Sequence, residues 1–532
     1  MSITSLAFVL FIFAVQLVYW IVPKRFQWCV LLVSSCVFYL SGGVKSALYV
    51  LLTASTIYGA ALWMQRIGDR QRAWLKENKQ TLTKEEKAQH KKKTGRRRRA
   101  VMIAALLLNL GVLCVFKYFH FALEQFNAIS RLFGADGIRD TVRFIVPLGI
   151  SFYTFQSIGY LVDVYWEHYE PEKNYFKVLL FVSFFPQMTQ GPISSFDGLS
   201  KELFAQHTFS YKNYTYGMQR MLWGFAKKLL VANILGAYVS NLFANFQTYT
   251  GITTLLGAVC YSIQIYADFS GYMDIMCGLC EAMGITLREN FDRPYFSKSI
   301  AEYWRRWHIS LGDWFKKYIY YPIGMTGWSR KLAKNLKVRF SPHFANSFPA
   351  TIALLVVWSA TGLWHGASWG YIVWGLLNGA FIIFSMWMEP VFKKCKTKLG
   401  IRDSSRAFRC FQILRTFVLV TFIKVLPEVG GLRRGLALWK HILTDHRIPQ
   451  NFAQLTEFVT NERFWLVLAM AGAVLMLAVS LLQRKGPVRD RFNKLPMAVR
   501  LVIEAVCVVF IFVFGGVALT TFGGRGFMYA GF

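Results

Sequence analysis

The feature that most constrains this chain is a series of apolar runs, each long enough to cross a lipid bilayer. A hydrocarbon layer about 30 Å thick needs roughly 20 apolar residues per helix. Hydrophobic residues make up 55% of the sequence, which is too many for an ordinary soluble protein. We therefore predict an all-α polytopic integral membrane protein of roughly 11 to 13 membrane-embedded helices, some of them short or re-entrant. The strong runs begin near Ser5, Phe26, Ser46, Ala100, Leu255, Ala350, Phe464 and Val499, and the weaker runs are 143–166, 176–191, 215–243, 368–388 and 408–426.

Positive charge is concentrated in one polar stretch, residues 65–99, within a chain of formal net charge +33. The positive-inside rule assigns this basic loop to the cytoplasm, as a flexible or surface-lying helical segment. No nucleic-acid recognition motif accompanies the charge, so we expect the lipid bilayer as partner and no nucleic acid. The first run, residues 5–22, has no basic stretch before it and is expected to be a retained span. We expect a multi-pass protein of the cell membrane.

Cysteine usage argues against a disulfide framework or a metal site. The nine cysteines are an odd number, and most of them lie inside apolar runs. Cys277 and Cys280 form a lone CxxC pattern without the second pair that a structural zinc site needs. We expect no bound metal.

The segment 288–349 is too polar to span a membrane but carries aromatic residues at helical spacing. This periodicity predicts an interfacial or re-entrant helix with one aromatic face, ended by Pro322. His308 lies at the edge of that face, one turn after Arg305. Partial burial beside an arginine favours the neutral imidazole, which can accept a proton or bind a substrate, although a capping role is an alternative. The aromatic face consists of Trp304, Trp307, Leu311, Trp314, Tyr318 and Tyr321.

A second histidine, His365, lies within an apolar stretch, residues 350–388. Ionisable groups at membrane depth usually face a cavity or a partner inside the protein. Gly362, Gly366 and Gly370 recur every four residues, which predicts a bare helical side that another helix or a substrate can approach. Such a histidine can act as the base of a transfer reaction, or it can be a structural histidine hydrogen-bonded between helices.

Two further polar islands interrupt apolar runs. Asp268 and Asp274 each need a partner or neutralisation, and Arg305 and Arg306 are the partners that we expect. The two carboxylates could form a structural salt bridge, a proton relay or an acid and base pair. The prolines and glycine of residues 185–192 predict a broken or re-entrant helix that lines a cavity.

Together these blocks resemble the membrane-bound O-acyltransferase family, most closely its bacterial branch that includes the alginate O-acetylation membrane subunit. The matching blocks are residues 185–192, 266–274, 289–295, 304–311 and 363–366, with a less specific aromatic ending at 527–532. The resemblance implies a single membrane domain, residues 1–532, built as a ring of helices around a central catalytic tunnel. It also implies the bacterial inner membrane as the location and His365 and His308 as catalytic residues. By the same resemblance, the substrate-binding or tunnel residues are Trp304, Arg305, Trp307, Asp268, Ser270, Asn290, Gln187 and Trp364.

Two adjacent positions depart from the family pattern, because Lys316 and Lys317 stand where the family usually has arginine and aspartate. The local charge network is therefore expected to differ.

The function implied by the resemblance is transfer of an acyl group from a cytoplasmic thioester to a hydroxyl. We expect the acyl group to be acetyl. The donor would be acetyl-CoA or an acyl-carrier thioester, and no cofactor is expected to stay bound. The acceptor would be an extracytoplasmic cell-envelope polysaccharide or an SGNH-type partner acyltransferase. Transfer of D-alanine from a carrier protein towards teichoic acid is an alternative. A transporter, or a scaffold of an export machine without catalytic activity, would explain the buried polar residues without chemistry.

Overall fold

The computed structural model describes residues 1–134, 136–142, 144, 146–460, 462–523 and 526, and across these residues all regular secondary structure is helical. Within them, nine helices are long and apolar enough to cross a membrane, and two shorter helices are also apolar. The prediction of an all-α polytopic membrane protein is confirmed. The aromatic ending, residues 527–532, lies outside the described residues.

The chain divides into two compact units. Unit 1 comprises residues 1–214 and 280–287, and unit 2 comprises residues 215–279 and 288–532. Whether they form one membrane domain stays a prediction. The helices up to residue 203 are α1 Leu6–Ile21, α2 Gln27–Ser41, α3 Val44–Glu77, α4 Lys84–Leu132, α5 Ile150–Tyr165, α6 Tyr175–Ser183 and α7 Phe196–Leu203.

The later helices carry both histidines. Two π-helical turns, Lys227–Ala232 and Lys316–Tyr320, interrupt the α-helical pattern. The α-helices are α8 Tyr211–Ala226, α9 Asn233–Ala244, α10 Gly251–Ala282, α11 Ile300–Arg306, α12 Ile309–Phe315, α13 Tyr321–Met325, α14 Gly327–Arg339, α15 Pro342–His365, α16 Trp369–Trp387, α17 Glu389–Lys398, α18 Arg406–Glu428, α19 Leu432–Thr444, α20 Phe452–Leu455, α21 Arg463–Leu482, α22 Val488–Phe492 and α23 Met497–Phe522.

The basic segment 65–99 is not a flexible loop, because α3 and α4 extend through most of it as regular helix. Only residues 78–83 connect the two helices. Thr83 caps α4 and exchanges hydrogen bonds with Glu86 in a capping box, which satisfies backbone groups that would otherwise lack partners. The lysine, arginine, alanine and glutamine residues that follow are good helix formers, so charge alone does not prevent helix formation here. The cytoplasmic location of this hairpin stays a prediction.

Helices α8 and α10 approach each other through glycines. A Cβ atom on Gly224 would lie 2.6 Å from the carbonyl oxygen of Gly271, and one on Gly278 would lie 2.5 Å from that of Gly217. Neither position tolerates a side chain without a backbone shift. This close approach brings the polar residues of α10 within reach of the lysines that follow α8.

The predicted continuous helix through His308 is wrong. Helix α11 ends at Arg306, Trp307 is extended, and His308 adopts a left-handed backbone conformation with φ 49° and ψ 53° before α12 begins. Trp307 instead pairs with Phe291 in a short antiparallel bridge. Of the predicted aromatic face, Trp307, Leu311 and Trp314 are buried, whereas Tyr321 is exposed. Backbone pairing and ring packing at Trp307 override the local helical preference.

Pro322 does not end the helix as predicted. It lies in the first turn of α13, directly after the π-helical turn Lys316–Tyr320, and α13 continues to Met325. A π-helical turn changes the backbone hydrogen-bonding register, which accommodates a residue that has no N–H to donate.

Candidate active site

His365 is the last residue of α15, and it is buried with 3% of its surface exposed. Its ring centroid lies 4.8 Å from that of Trp374 in an edge-to-face arrangement and 6.4 Å from that of Tyr371. Trp374 and Tyr371 both belong to α16, so the short connection between α15 and α16 folds one helix back over the histidine. The imidazole therefore lies at a helix end, within a wall of aromatic rings.

The glycines around His365 do not share one helical side, contrary to the prediction, because α15 ends at His365. A Cβ on Gly362 would lie 2.6 Å from the carbonyl oxygen of Tyr371, and a Cβ on Gly366 would overlap the Tyr371 ring. Gly370 belongs to α16 and faces Pro427 of α18. Two of the three glycines thus allow α16 to approach α15, and the third allows α18 to approach α16.

His308 is also buried, with 2% of its surface exposed. Burial lowers the pKa of its imidazole from the ordinary value of 6.5 to about 3, so the ring is neutral near pH 7. The neutral form was expected from partial burial beside Arg305, but Arg305 is exposed and burial alone is the cause. A neutral imidazole offers one N–H donor and one acceptor nitrogen to a reacting group.

The two histidines share a neighbour, Trp364. The centroid of its aromatic ring system lies 6.0 Å from the His308 ring and 4.9 Å from the His365 ring. Phe269 of α10 lies edge-on to His308 at 4.8 Å. Three chain segments that are distant in sequence therefore bring both imidazoles to one aromatic cluster in unit 2.

Trp304 extends this cluster on the His365 side. Its ring centroid lies 5.5 Å from Trp374 and 5.0 Å from Trp358, and its Nε1 donates a 2.9 Å hydrogen bond to Oδ1 of Asn378. Trp304, predicted as a substrate or tunnel residue, thus contacts Trp374, which in turn contacts His365.

Asn290 holds the turn that carries His308. It is fully buried, its backbone oxygen accepts from Ile309 N at 3.1 Å, and its Oδ1 accepts from Ser310 N at 2.9 Å. These bonds satisfy two of the N–H groups at the start of α12, which have no partner inside the helix. In the structure Asn290 fixes the backbone next to His308. Its predicted role as a substrate-binding or tunnel residue stays a prediction.

The expected partners of Asp268 and Asp274 are wrong. Asp268 pairs with Lys228 at 2.6 Å, and Asp274 pairs with Lys227 and, at 2.9 Å, with Arg220. Neither Arg305 nor Arg306 is one of these partners.

Arg306 pairs with Glu302 at 2.7 Å, and Arg305 is exposed. The lysines instead lie on the π-helical turn Lys227–Ala232, which re-aims side chains relative to a regular helix. Ser270, another predicted site residue, accepts a 3.1 Å hydrogen bond from Lys227 Nζ.

Gln187 belongs to unit 1. The helix broken by prolines is confirmed, because α6 ends at Ser183 and a 3-10 turn, Phe185–Gln187, follows. Gln187 is buried, and its Nε2 donates a 2.7 Å hydrogen bond to Ser194 Oγ. Its predicted role towards substrate stays a prediction.

Near Lys316 and Lys317, where the sequence differs from the family pattern, two cations share the carboxylate of Asp313. Asp313 pairs with Arg288 and, at 3.1 Å, with Lys316, while Lys317 lies over the Tyr318 ring. The cation that replaces the usual aspartate therefore points to an aromatic ring.

A cavity of about 480 Å³ lies beside the buried ion pair of Asp268 and Lys228. Asn233 also lines it, and among the described residues neither polar atom of its buried amide has a hydrogen-bond partner. Asp268 is adjacent in sequence to Phe269, the ring that contacts His308. The polar side chains that line the cavity are Lys228, Asn233, Ser240, Gln264, Asp268, Glu428 and Arg434.

Sequence reasoning missed Lys227, Lys228 and Lys424. All three are buried lysines in runs that were assigned as weak membrane spans. The signal was present, because an ionisable residue inside a span is a candidate functional residue. In the part of the chain that the structure describes, no group of three or more metal-ligating side chains comes together.

The fold and this cluster define a polytopic membrane protein with two buried histidines at one aromatic site. The sequence profile of the membrane-bound O-acyltransferase family matches residues 172–423, which include both histidines. The chain belongs to this family.

Individual relatives agree with that assignment. The probable alginate O-acetylase AlgI of Pseudomonas putida is 34% identical over 370 residues, which are 69% of this chain and 70% of that protein. The protein of the same name from Pseudomonas aeruginosa is 34% identical over 332 residues, 62% of this chain and 58% of the relative. A peptidoglycan O-acetyltransferase of Helicobacter pylori is 32% identical over 304 residues, 52% of this chain and 54% of the relative. The chain thus spans little more than half of two of these relatives.

Proposed function

We propose that this protein is a membrane O-acyltransferase that moves an acyl group, specifically acetyl, from a cytoplasmic thioester to a hydroxyl of an extracytoplasmic polymer. The observation that carries the proposal is the pair of buried histidines that share Trp364, in a chain of this family. Relatives named as O-acetylases of alginate and peptidoglycan support an envelope polysaccharide as the acceptor.

His365 is the proposed general base. Its imidazole takes the proton of the acceptor hydroxyl while the hydroxyl oxygen attacks the thioester carbonyl carbon. The carbon–sulfur bond then breaks, and the thiolate leaves with the proton that His365 returns. The C-terminal end of α15 carries partial negative charge, which stabilises the imidazolium that forms in between.

His308 is the proposed second active-site histidine. Because its ring is neutral, one nitrogen can donate a hydrogen bond to the carbonyl oxygen as negative charge develops there. The surrounding rings of Phe269 and Trp364 exclude water, which strengthens such a hydrogen bond.

The cavity beside Asp268 is the proposed acceptor side. Helix α18 begins after a basic segment, residues 393–402, and ends at Glu428, which lines the cavity. By the positive-inside rule the start of α18 is cytoplasmic, so the cavity lies towards the opposite face. Its amide, carboxylate and cationic groups suit the hydroxyls of a saccharide.

The test is the content of base-labile acyl esters on envelope glycans, measured by mass spectrometry. Wild type, a deletion strain and His365→Ala are compared at matched membrane abundance, with Lys440→Ala, an exposed position on α19, as the matched control. Loss of esters in the deletion strain and in His365→Ala, but not in Lys440→Ala, is expected. Normal esters in His365→Ala but not in the deletion strain would overturn the catalytic role and favour a scaffold.

The same spectra distinguish the acyl group. Acetyl esters support the proposal, whereas D-alanyl esters lost in the deletion strain would identify the D-alanylation alternative. Consumption of acetyl-CoA or of an acylated carrier protein by the purified protein then identifies the donor. If the deletion strain lost transport of a solute while its envelope esters stayed unchanged, a transporter would be favoured.

A further inference from the structure

Lys424 is a buried lysine without a carboxylate partner. It lies in α18 with 5% of its surface exposed, and among the described residues it forms no ion pair. Its Nζ atom lies 3.9 Å from the centroid of the Trp307 ring and donates a 2.9 Å hydrogen bond to the hydroxyl of Tyr295. The rings of Tyr295 and Tyr303 lie 4.9 and 5.2 Å from the same atom.

This arrangement differs from that of the other lysines buried at the site. Lys227 and Lys228 are neutralised by Asp274 and Asp268, whereas Lys424 is held by three ring faces and one hydroxyl. Desolvating a cation costs several kcal/mol, and a desolvated cation–π contact contributes about 2 kcal/mol or more. A methionine would fill the same space without that cost, so a lysine at this position calls for a role beyond packing.

The ring that Lys424 contacts most closely belongs to the residue before His308. Trp307 is 1% exposed, and its backbone pairs with Phe291. The backbone of His308 is left-handed, a conformation that costs a residue with a Cβ about 1–2 kcal/mol. Such a turn persists only where its neighbours are held, and Lys424 holds the Trp307 ring from the side of α18.

We infer that Lys424 is a positioning residue for His308, because its ammonium group on the Trp307 face fixes the turn that presents the imidazole. This inference rests on the proposed acyl transfer. Lys424 itself touches no reacting atom. A neutral side chain at position 424 therefore lowers turnover and leaves donor binding nearly unchanged.

The test compares Lys424→Met, Lys424→Gln and Lys424→Arg in the purified full-length protein. Turnover is measured as thiol release from whichever of two probes, acetyl-CoA or an acetylated carrier protein, the wild type consumes. We expect kcat about 10- to 100-fold lower in Lys424→Met and Lys424→Gln, with the donor KM within about threefold of wild type. Lys424→Arg should recover kcat to within about fivefold, because a guanidinium keeps the charge and stacks on indole.

The matched control is Lys117→Met, which removes a partly buried lysine from α4 of unit 1 and should leave kcat unchanged. Equal kcat values for Lys424→Gln and Lys424→Arg would overturn the inference, since shape and hydrogen bonding would then matter and charge would not. A wild-type rate in Lys424→Met beside an inactive His365→Ala would overturn this inference alone. An active His365→Ala would instead overturn the proposed function.

A second experiment applies where Lys424→Met fails to accumulate. Trp307→Phe keeps an aromatic face and Trp307→Leu removes it, and each is combined with Lys424→Gln in a double-mutant cycle. We expect Trp307→Leu and Lys424→Gln to be strongly non-additive in kcat, because both remove the same contact. Additive losses would show that the lysine and the indole act separately and would overturn the inference.

Discussion

The two histidines are held by different kinds of structure. His365 ends a regular helix, and glycine contacts and aromatic rings of α16 hold it in place. His308 lies in a left-handed turn between two short helices, where backbone hydrogen bonds to Asn290 and the clamped ring of Trp307 hold it. Aromatic packing surrounds one imidazole, and a polar and charged network holds the strained turn that carries the other.

Because of this difference, the surroundings of His365 and of His308 should tolerate different kinds of substitution. Packing of an apolar hairpin is spread over many weak contacts, so a local loss is shared among them. A strained turn depends on a few specific bonds, and loss of one of them leaves a buried group unsatisfied. We expect the His365 side to respond to volume and the His308 side to respond to charge and hydrogen bonding.

The largest expected effect is on kcat, when each histidine is replaced by glutamine. His365→Gln should lower kcat by about 10³-fold or more, because glutamine cannot take a proton from the acceptor. His308→Gln should lower kcat only about 10- to 100-fold, because glutamine still donates a hydrogen bond. Thiol release from the donor probe measures both. Equal losses would mean that both imidazoles transfer protons, and a larger loss at His308 would reverse the assignment.

A smaller effect tests the packing side of the comparison. Gly366→Ala places a methyl group on the Tyr371 ring, and moving that ring should lower stability by about 1–3 kcal/mol and disturb the wall beside His365. Thermal unfolding in detergent and kcat measure the two consequences. Gly111→Ala is the control, because its Cβ would meet nothing within 4 Å in α4, and its Tm should stay level or rise. If Gly366→Ala matched this control, the hairpin would be looser than its contacts indicate.

The sequence predicted what depends on local pattern. Apolar runs located the long helices, prolines located the break after α6, and an ionisable residue within a span singled out His365. These signals arise within about 20 residues of chain, so no knowledge of distant neighbours is needed.

The rest depends on neighbours that are distant in sequence. Aromatic spacing through Trp304 predicted one helix, but pairing of Trp307 with Phe291 breaks it at His308. Likewise Asp268 and Asp274 needed cations, and only the fold selects Lys228 and Lys227 over the nearer arginines. Nothing in the local sequence marks Lys424 as the residue that lies against Trp307.

The smallest effect uses pH to test the burial of His308. The folded protein binds a proton at this imidazole only near pH 3, whereas the unfolded chain does so near the ordinary value of 6.5. As the pH falls below 6.5, the unfolded chain takes up a proton that the folded protein does not, and the unfolded state is increasingly favoured. The contribution of this group to the free energy of unfolding is fully present only above pH 6.5. Between pH 7 and pH 5.5 the group should account for a loss of about 1 kcal/mol in the free energy of unfolding.

His308→Gln should remove that part of the pH dependence, so its Tm should fall less than that of wild type between pH 7 and pH 5.5. His446→Gln, at an exposed position after α19, is the control and should keep the wild-type slope. Parallel slopes for wild type and His308→Gln would mean that the imidazole takes up a proton in the folded protein. In that case His308 would be reached by water, and the contrast between a buried neutral histidine and His365 as the proposed base would fail.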